Sequence, residues 1–354
     1  MPIIVKEKSE YTPLDPNYKP TGKNAHYAEL DPIFATLKPA IDSGLDAIWN
    51  PESSIEEFRA AWSGNAPSPA GCPVEGEDVV TEKRMIPMRD GVEREICIYR
   101  AKEDKEGSGK KAVVLRCHGG GWVIGGPNTE HPESLMLAGK TNSIVVVIDY
   151  RMAPEYKFPY AVNDCFDALN WCYQNAESIG GDSSKLIING GSAGAGLATV
   201  AALMARDEGI PLIGQVLTWP SVCHPKFQPK DKYELDSYLQ NHFATILTAP
   251  RMEWFLDAYM PEPTDDWRLS PLLAPSLKGL PKTLVTVAGY DILRDEGLAY
   301  VERMKSEGVE VEHKVYKGFP HCPYGMVEHP EIIDYYDRIV DFVRKTSETA
   351  PGGT

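Results

Sequence analysis

The chain lacks any long apolar run and is short of positive charge. Its first ten residues contain no apolar stretch of signal-peptide length, and no later segment reaches the length of a membrane span. Lys and Arg number 36 against 51 Asp and Glu, which gives a net charge of -15. We therefore expect no membrane span, and no binding to nucleic acid or to anionic membrane surfaces.

Cysteine occurs seven times, with neither a Cys-x-x-Cys pair nor a His/Cys pair at zinc-ligand spacing. Four of the seven lie within apolar strand-like or helix-like patterns, which predicts buried free thiols: Cys97, Cys117, Cys165 and Cys172. The sequence therefore predicts no metal site and a reducing, cytoplasmic location.

The length of 354 residues is enough for one large α/β domain with an accessory element, and the composition, 42% hydrophobic and 25% charged, is typical of a globular chain. A hairpin is predicted from Val79 to Arg100, and near-continuous apolar strands then alternate with helices. That alternation is typical of a parallel sheet covered by helices on both faces. We count eight strands, with the hairpin adding antiparallel strands at one edge.

The segment between Trp219 and Thr283 breaks the alternation, because it contains aromatic helical pieces and no clear strand. A structureless loop of that length is uncommon in a compact domain, so we interpret it as an inserted helical cap. The predicted organisation is an N-terminal arm with cap helices (1–75), a catalytic core (76–220 and 269–347), the inserted cap (221–268) and a disordered tail (348–354).

The most informative motif is Gly-Gly-Ser-Ala-Gly at Gly190–Gly194. A strand-like run, Lys185–Asn189, precedes it, and a small-residue helical run, Ala195–Arg206, follows it. Gly-x-Ser-x-Gly in this context is typical of a nucleophile elbow, where a strained serine is exposed on a tight turn. The following helix N-terminus favours developing negative charge. The five-residue pattern is common by chance, so its interpretation depends on partners elsewhere in the chain.

A glycine run upstream is the first such partner. The apolar run Ala112–Cys117 predicts a buried strand, which leads directly into His118-Gly-Gly-Gly-Trp122. Consecutive glycines can turn backbone N–H groups toward a ligand, since no Cβ stands in the way. We expect this loop to supply oxyanion-hole donors rather than to be a flexible turn.

A serine nucleophile needs a base and an orienting acid, and with this elbow the chain order is Ser, then Asp or Glu, then His. The predicted strand Leu284–Ala288 is followed by Gly289-Tyr290-Asp291, so Asp291 lies at a strand end, where catalytic residues of parallel sheets collect. Its competitors, Asp295 and Glu296, lie at the next helix start, where capping or the helix dipole accounts for them.

His321 is the candidate base, because it is the only histidine just past the predicted strand Val309–Tyr316. His313 is expected to be a packed structural histidine within that strand. His329 precedes a proline at a helix start and is expected at the surface. His118 is expected to hold the glycine loop in shape.

Five motifs occur in a common order between about residue 80 and the C-terminus: His118–Trp122, Tyr150–Glu155, Gly190–Gly194, Asp291–Glu296 and Gly318–His321. Together they resemble the hormone-sensitive-lipase-like carboxylesterases of the α/β-hydrolase superfamily. The resemblance implies an α/β-hydrolase fold, with an eight-stranded, mostly parallel sheet flanked by helices and a helical cap. It also implies the site residues: Ser192 as nucleophile, His321 as base, Asp291 as orienting acid, and the N–H groups of Gly120, Gly121 and Ala193 as the oxyanion hole.

Three features depart from the family pattern and predict a site of altered shape. The family usually has Asp before the serine, where this chain has Gly191. The residue after the histidine is often Gly, where this chain has Cys322 followed by Pro323. The arm before residue 30 is long.

The sequence thus predicts a serine carboxylic-ester hydrolase that acts on a small to medium ester without a metal or organic cofactor. Acyl transfer, lactone cleavage or deacetylation of a secondary metabolite by the same triad is one alternative, and a non-catalytic ligand receptor is another. Trp122 is the candidate substrate-binding residue, while most cap aromatics are expected to be cap core. The oligomeric state stays open, a homodimer included.

Overall fold

The computed structural model describes residues 2–63, 66–103 and 110–349. Their strands are β1 (Val79–Pro87), β2 (Glu93–Ala101), β3 (Lys111–Cys117), β4 (Ile144–Ile148), β5 (Gly181–Gly191), β6 (Gly214–Thr218), β7 (Thr283–Tyr290) and β8 (Val311–Pro320). These eight strands of the described residues form one sheet in the order β1-β2-β4-β3-β5-β6-β7-β8. The pairs β1–β2 and β2–β4 are antiparallel and the others are parallel, which confirms the predicted mostly parallel sheet with a hairpin at one edge.

The α-helices of the described residues are α1 (Pro32–Ile48), α2 (Ile55–Ala61), α3 (His131–Thr141), α4 (Tyr160–Asn175), α5 (Ala193–Asp207), α6 (Ser237–Gln240), α7 (Ala249–Tyr259), α8 (Arg294–Ser306) and α9 (Pro330–Thr349). Short 3-10 helices cover Ala25–Ala28, Ala176–Ile179, Pro225–Phe227 and Pro271–Leu273. Helix α2 begins with a capping box, in which Ser54 Oγ accepts from Glu57 N and the Glu57 carboxylate accepts from Ser54 N.

Two apolar cores lie on opposite faces of the sheet. Helices α4, α5 and α8 contribute to one core, and helices α3 and α9 contribute to the other. Every residue of β4 is buried, as expected for a strand covered on both faces, because its run Ile144–Ile148 is apolar throughout. The rigid sheet fixes the positions of its carboxyl ends, where β5, β7 and β8 lead into the loops of the site.

A helical layer covers that edge of the sheet. It combines α1 and α2 with α7 of the segment between β6 and β7. Four rings pack against one another in tilted or edge-to-face pairs with centroids 4.8 to 5.4 Å apart: Trp49, Phe58, Trp254 and Phe255. Helical segments distant in sequence therefore share one aromatic cluster.

The N-terminal arm lies against this layer. The carboxylate of Glu253 in α7 accepts hydrogen bonds from Lys6 Nζ, Ser9 Oγ and the backbone N–H groups of Glu10 and Tyr11 at 2.6 to 3.0 Å. At the other terminus, α9 continues to Thr349, so residues 348 and 349 of the predicted disordered tail are helical. The rest of that tail lies outside the described residues.

Candidate active site

Ser192 lies on a sharp turn between β5 and α5, with φ 55° and ψ -122°. This left-handed backbone conformation is costly for a residue with a side chain, and it persists because the flanking strand and helix hold it. The chain approaches itself closely here: a Cβ at Gly194 would lie 2.1 Å from the carbonyl oxygen of Cys117. The predicted elbow therefore has the geometry that its glycines indicate.

The structure brings the three predicted triad residues together. Ser192 Oγ lies 2.7 Å from His321 Nε2, and His321 Nδ1 lies 2.7 Å from Asp291 Oδ2. Asp291 directly follows β7 and His321 directly follows β8, so the parallel strands deliver both side chains to the same edge of the sheet. The other oxygen, Asp291 Oδ1, accepts from Leu293 N at 3.0 Å, which orients the carboxylate.

The electrostatics of His321 follow from this geometry. Burial by itself lowers the pKa of the imidazole, but the Asp291 carboxylate opposes it, and the net direction is well above the usual value of 6.5. An imidazole that is only 4% exposed and bonded to a carboxylate is a stronger proton acceptor than a free histidine. The pair is therefore suited to take the proton of Ser192 Oγ.

The glycine loop places unpaired N–H groups beside Ser192. Gly120 and Gly121 have positive φ values of 113° and 57°, and in the described part of the chain their N–H groups donate no backbone hydrogen bond. Ala193 is the first residue of α5, where an N–H has no acceptor within the helix. All three residues line the same cavity as Ser192. The arrangement can hold a negatively charged oxygen at the serine.

His118 lies within the glycine loop and apart from the triad. Its Nδ1 lies 2.7 Å from the Gly119 oxygen, and its ring stacks on Tyr150 at 4.1 Å. Tyr150 Oη also donates to the His118 carbonyl oxygen at 2.9 Å. Burial lowers the pKa of His118 to about 4, so the ring is neutral at physiological pH. These contacts agree with a role in holding the loop in shape.

The remaining competitors lie elsewhere. Asp295 and Glu296 occupy the first turn of α8, but their carboxylates accept from backbone N–H groups of other segments: Asp295 from Ser237, and Glu296 from Val222. His313 is exposed and contacts Lys305, so the prediction that it is packed is wrong, because its face of the edge strand β8 is open to solvent. His329 is half-buried and packs edge to face on Phe319.

A cavity of about 440 Å³ lies over the serine. Its wall includes Trp122, as predicted, and Trp122 stacks on Tyr259 with centroids 4.9 Å apart. Phe255 of α7 lines the cavity, whereas its neighbour Trp254 packs in the helical layer above it. Other apolar wall residues come from both halves of the helical layer: Trp49, Trp62, Ile246, Leu247 and Met252.

Sequence reasoning missed several residues of the site. Glu130 and Tyr324 line the cavity, and no motif or period in the sequence marked them. Arg59 of α2 was also missed; it donates to the carbonyl oxygens of Val123 and Ala153 and to the Glu155 carboxylate at 2.7 to 2.9 Å. Arg59 thus ties the helical layer to the glycine loop and to the Tyr150–Glu155 motif, whose function the sequence alone left unexplained.

Across residues 2–63, 66–103 and 110–349, no group of three or more His, Cys, Asp or Glu side chains is arranged to hold a metal ion. In the same part of the chain, no helix has both the length and the apolar character needed to cross a membrane. The predicted buried free thiols Cys97, Cys117, Cys165 and Cys172 are buried and unbonded.

Comparison with known proteins adds three relatives. A sequence profile of the α/β-hydrolase fold matches residues 114–324. Carboxylesterase NlhH of Mycobacterium tuberculosis is 38% identical over 206 residues, which is 56% of this chain and 62% of that protein, so the chain matches less than two thirds of that relative's length. The hyperthermophilic esterase of Pyrobaculum calidifontis is 30% identical, with TM-score 0.76 over 89% of this chain and 98% of that structure. Vibralactone cyclase is 27% identical, with TM-score 0.82 over 92% and 97%.

Proposed function

The chain belongs to the α/β-hydrolase family, in its hormone-sensitive-lipase-like branch, and from that premise we propose that it hydrolyses carboxylic esters through an acyl-enzyme on Ser192. One observation carries the proposal: an unbroken chain of hydrogen bonds runs from Ser192 Oγ through His321 to Asp291 at the wall of the cavity. A serine held in this way is a nucleophile, because the imidazole accepts its proton as the oxygen attacks.

Each group has one task in the proposed reaction. Ser192 Oγ bonds to the ester carbon while His321 Nε2 takes its proton, and the resulting oxyanion faces the N–H groups of Gly120, Gly121 and Ala193. The bond to the leaving alcohol then breaks, and His321 returns the proton to that alcohol. Water repeats the attack on the acyl-enzyme, so that the acid leaves and Ser192 regains its proton. Asp291 holds the imidazole in the required tautomer and stabilises its charged form.

The cavity supports a small to medium ester with an apolar group. Its volume of about 440 Å³ lies in the usual range of small-molecule sites, and aromatic side chains such as Trp122 and Phe255 form much of its wall. We infer that α1, α2, α6 and α7 act as a cap that selects the substrate, while the strand ends supply the chemistry.

The decisive experiment combines active-site labelling with turnover. An organophosphonate should add a single equivalent to the protein, and the label should map to Ser192. Ser192→Ala should lose both the label and turnover of p-nitrophenyl esters of increasing chain length. Ser143→Ala is the matched control, because Ser143 is equally buried but lies away from the cavity. A label on another serine, or full activity in Ser192→Ala, would contradict the mechanism.

A second candidate uses the same acyl-enzyme but a different acceptor. The likeness to vibralactone cyclase, which covers 92% of this chain, favours a version in which a hydroxyl group of the substrate takes the place of water and closes a lactone. Product analysis separates the two: esters of hydroxy acids should yield the free hydroxy acid under hydrolysis and the lactone under cyclisation. A non-catalytic receptor, the third reading, predicts neither product nor label.

The proposal includes the cellular location of the protein and its partners. The seven cysteines of the described residues form no disulfide, which supports a reducing, cytoplasmic location, and the net charge of -15 argues against nucleic-acid partners. Whether the chain forms a homodimer is a question for light scattering after size-exclusion chromatography.

A further inference from the structure

A buried carboxylate lies in the site without a task in the proposed reaction. Glu130, the residue before α3, lines the cavity with Ser192 and His321 and is only 6% exposed. Its backbone is left-handed, with φ 56°. A carboxylate buried next to a nucleophile costs free energy unless it is paired, and a strained backbone adds to that cost. The contacts that offset the cost of burying the Glu130 carboxylate therefore indicate its role.

The carboxylate occupies the space that a side chain at position 191 would fill. A Cβ built on Gly191 would lie 2.4 Å from Glu130 Oε1, closer than any real Cβ contact. Position 191 is where the family usually has Asp. In this chain a carboxylate thus lies beside the elbow, but it comes from the segment before α3 instead of from the elbow itself.

Glu130 also contacts the other two loops of the site. Tyr324, three residues after His321, donates to Glu130 Oε1 at 3.0 Å, and its oxygen accepts from Trp219 Nε1 at 3.2 Å, which directs the hydroxyl proton to the carboxylate. The ideal Cβ position of Gly119 in the oxyanion loop lies 3.1 Å from the same oxygen. One carboxylate therefore meets the oxyanion loop, the elbow and the His321 loop.

A buried guanidinium compensates the charge. Arg116 is fully buried and donates to Glu130 Oε2 at 2.8 Å and to the Glu130 carbonyl oxygen at 3.0 Å. Arg116 also pairs with Glu133 at 3.2 Å, and Glu133 accepts from Asn189 and Tyr335. Glu130 and Glu133 share the same cation and the same burial, but Glu133 does not line the cavity.

From these contacts we propose that Glu130 is a positioning residue. Its carboxylate occupies the space beside Gly191, and there it fixes the oxyanion loop, the nucleophile elbow and the His321 loop relative to one another. It acts through these loops and does not touch the reacting atoms. The inference rests on the proposed ester hydrolysis, because its effect is read in the turnover of Ser192.

The first test compares two charge removals beside the same arginine. Glu130→Gln should lower kcat by about ten- to a hundredfold with KM changed less than about threefold, since small misplacements of reacting groups cost turnover more than binding. Glu133→Gln removes the same charge and should lower the melting temperature to a similar degree, but it should leave kcat within about twofold of wild type. Equal losses of kcat in both variants would overturn the proposal.

The second test moves the carboxylate to the elbow. Glu130→Ala should lose about a hundredfold in kcat, and adding Gly191→Asp to it should restore most of that loss, because the new carboxylate enters the vacated space. Gly191→Asp alone should be impaired, since its side chain would collide with Glu130. A folded double variant no more active than Glu130→Ala overturns the inference. A wild-type protein that takes no phosphonate label overturns the proposed function instead.

Discussion

At the scale of single residues, the acidic groups after β7 have separate partners. Asp291 bonds to His321, while Asp295 bonds to the backbone of the segment before α6 and to Arg294. Because the structure gives each carboxylate a different set of contacts, their removal has different expected consequences. Measurements on variants of Asp291 and Asp295 therefore show which carboxylate orients His321.

Asp291→Asn should lower kcat/KM by about three to four orders of magnitude, because an amide holds the imidazole in the wrong tautomer and cannot stabilise its charged form. The fold should be retained, since Asn keeps the shape of the side chain. Asp295→Asn should instead lower the melting temperature with a smaller loss of activity. Kinetics and thermal unfolding of both variants check this, and the reverse pattern would identify Asp295 as the orienting acid.

The pH dependence reports on His321. The base must be unprotonated, and its raised pKa means that it becomes protonated at a higher pH than a free histidine does. We therefore expect kcat/KM to fall with decreasing pH, with a midpoint above the usual value of 6.5. Hydrolysis of an ester whose leaving group does not titrate in this range gives the profile. A constant kcat/KM across that range would exclude an imidazole base.

At the scale of elements, α7 has two faces with different contacts. Met252 and Phe255 face the cavity, whereas Glu253 and Trp254 contact the N-terminal arm and the aromatic cluster. A Cβ built on Gly121 would lie only 2.4 Å from the ring of Phe255, so the ring packs directly against the glycine. The helix therefore connects the oxyanion loop below it with the arm above it.

Neighbouring aromatics of α7 make a matched pair. Phe255→Ala should raise KM for short esters and shift the preference toward longer acyl chains, since it enlarges the cavity. Trp254→Ala should lower stability by about 3 to 5 kcal/mol, as large-to-small changes of buried aromatics do, and alter the chain-length profile less. The ester panel and denaturant unfolding separate the two effects. An unchanged profile in folded Phe255→Ala would mean that α7 does not select the substrate.

The sequence predicted that Ser192, Asp291 and His321 lie together because strand order and strand ends are local patterns. Ser192, Asp291 and His321 each follow a recognisable strand, and parallel strands bring their carboxyl ends to one edge. Glu130 could not be found in this way, because it is 61 residues away from Gly191 in the chain. Glycine also has no side chain that would indicate a partner. Trp49 was missed for a related reason: it directly follows the last residue of α1, and the sequence does not show which distant segment that end of the helix contacts.

At the scale of the whole molecule, Glu253 of α7 attaches the N-terminal arm to the helical layer. This buried carboxylate accepts hydrogen bonds from arm residues between Lys6 and Tyr11, which lie more than 240 positions away in the chain. Burial raises the pKa of Glu253, but the hydrogen bonds from Lys6 and Ser9 oppose this, and the net direction is downward. The ionised carboxylate therefore stabilises the folded chain.

A lowered pKa in the folded state means that this stabilisation is present above the unfolded value of 4.5 and is lost as the pH falls through the lower, folded value. Glu253→Gln should consequently melt at a lower temperature than wild type at neutral pH, and the difference should shrink in acid. Melting curves across the pH range measure it. A difference that does not depend on pH would assign the effect to packing rather than to charge.

The location of His321, directly after the last strand, has a consequence for biosynthesis. A ribosome releases the chain from its N-terminus, so Ser192 and most of the residues that line the cavity emerge before the base does. Until β8 pairs with β7, Ser192 has no imidazole to accept its proton and is an ordinary alcohol. Under the proposed mechanism, the nascent chain is therefore expected to be inert toward the esters around it until β8 has paired with β7.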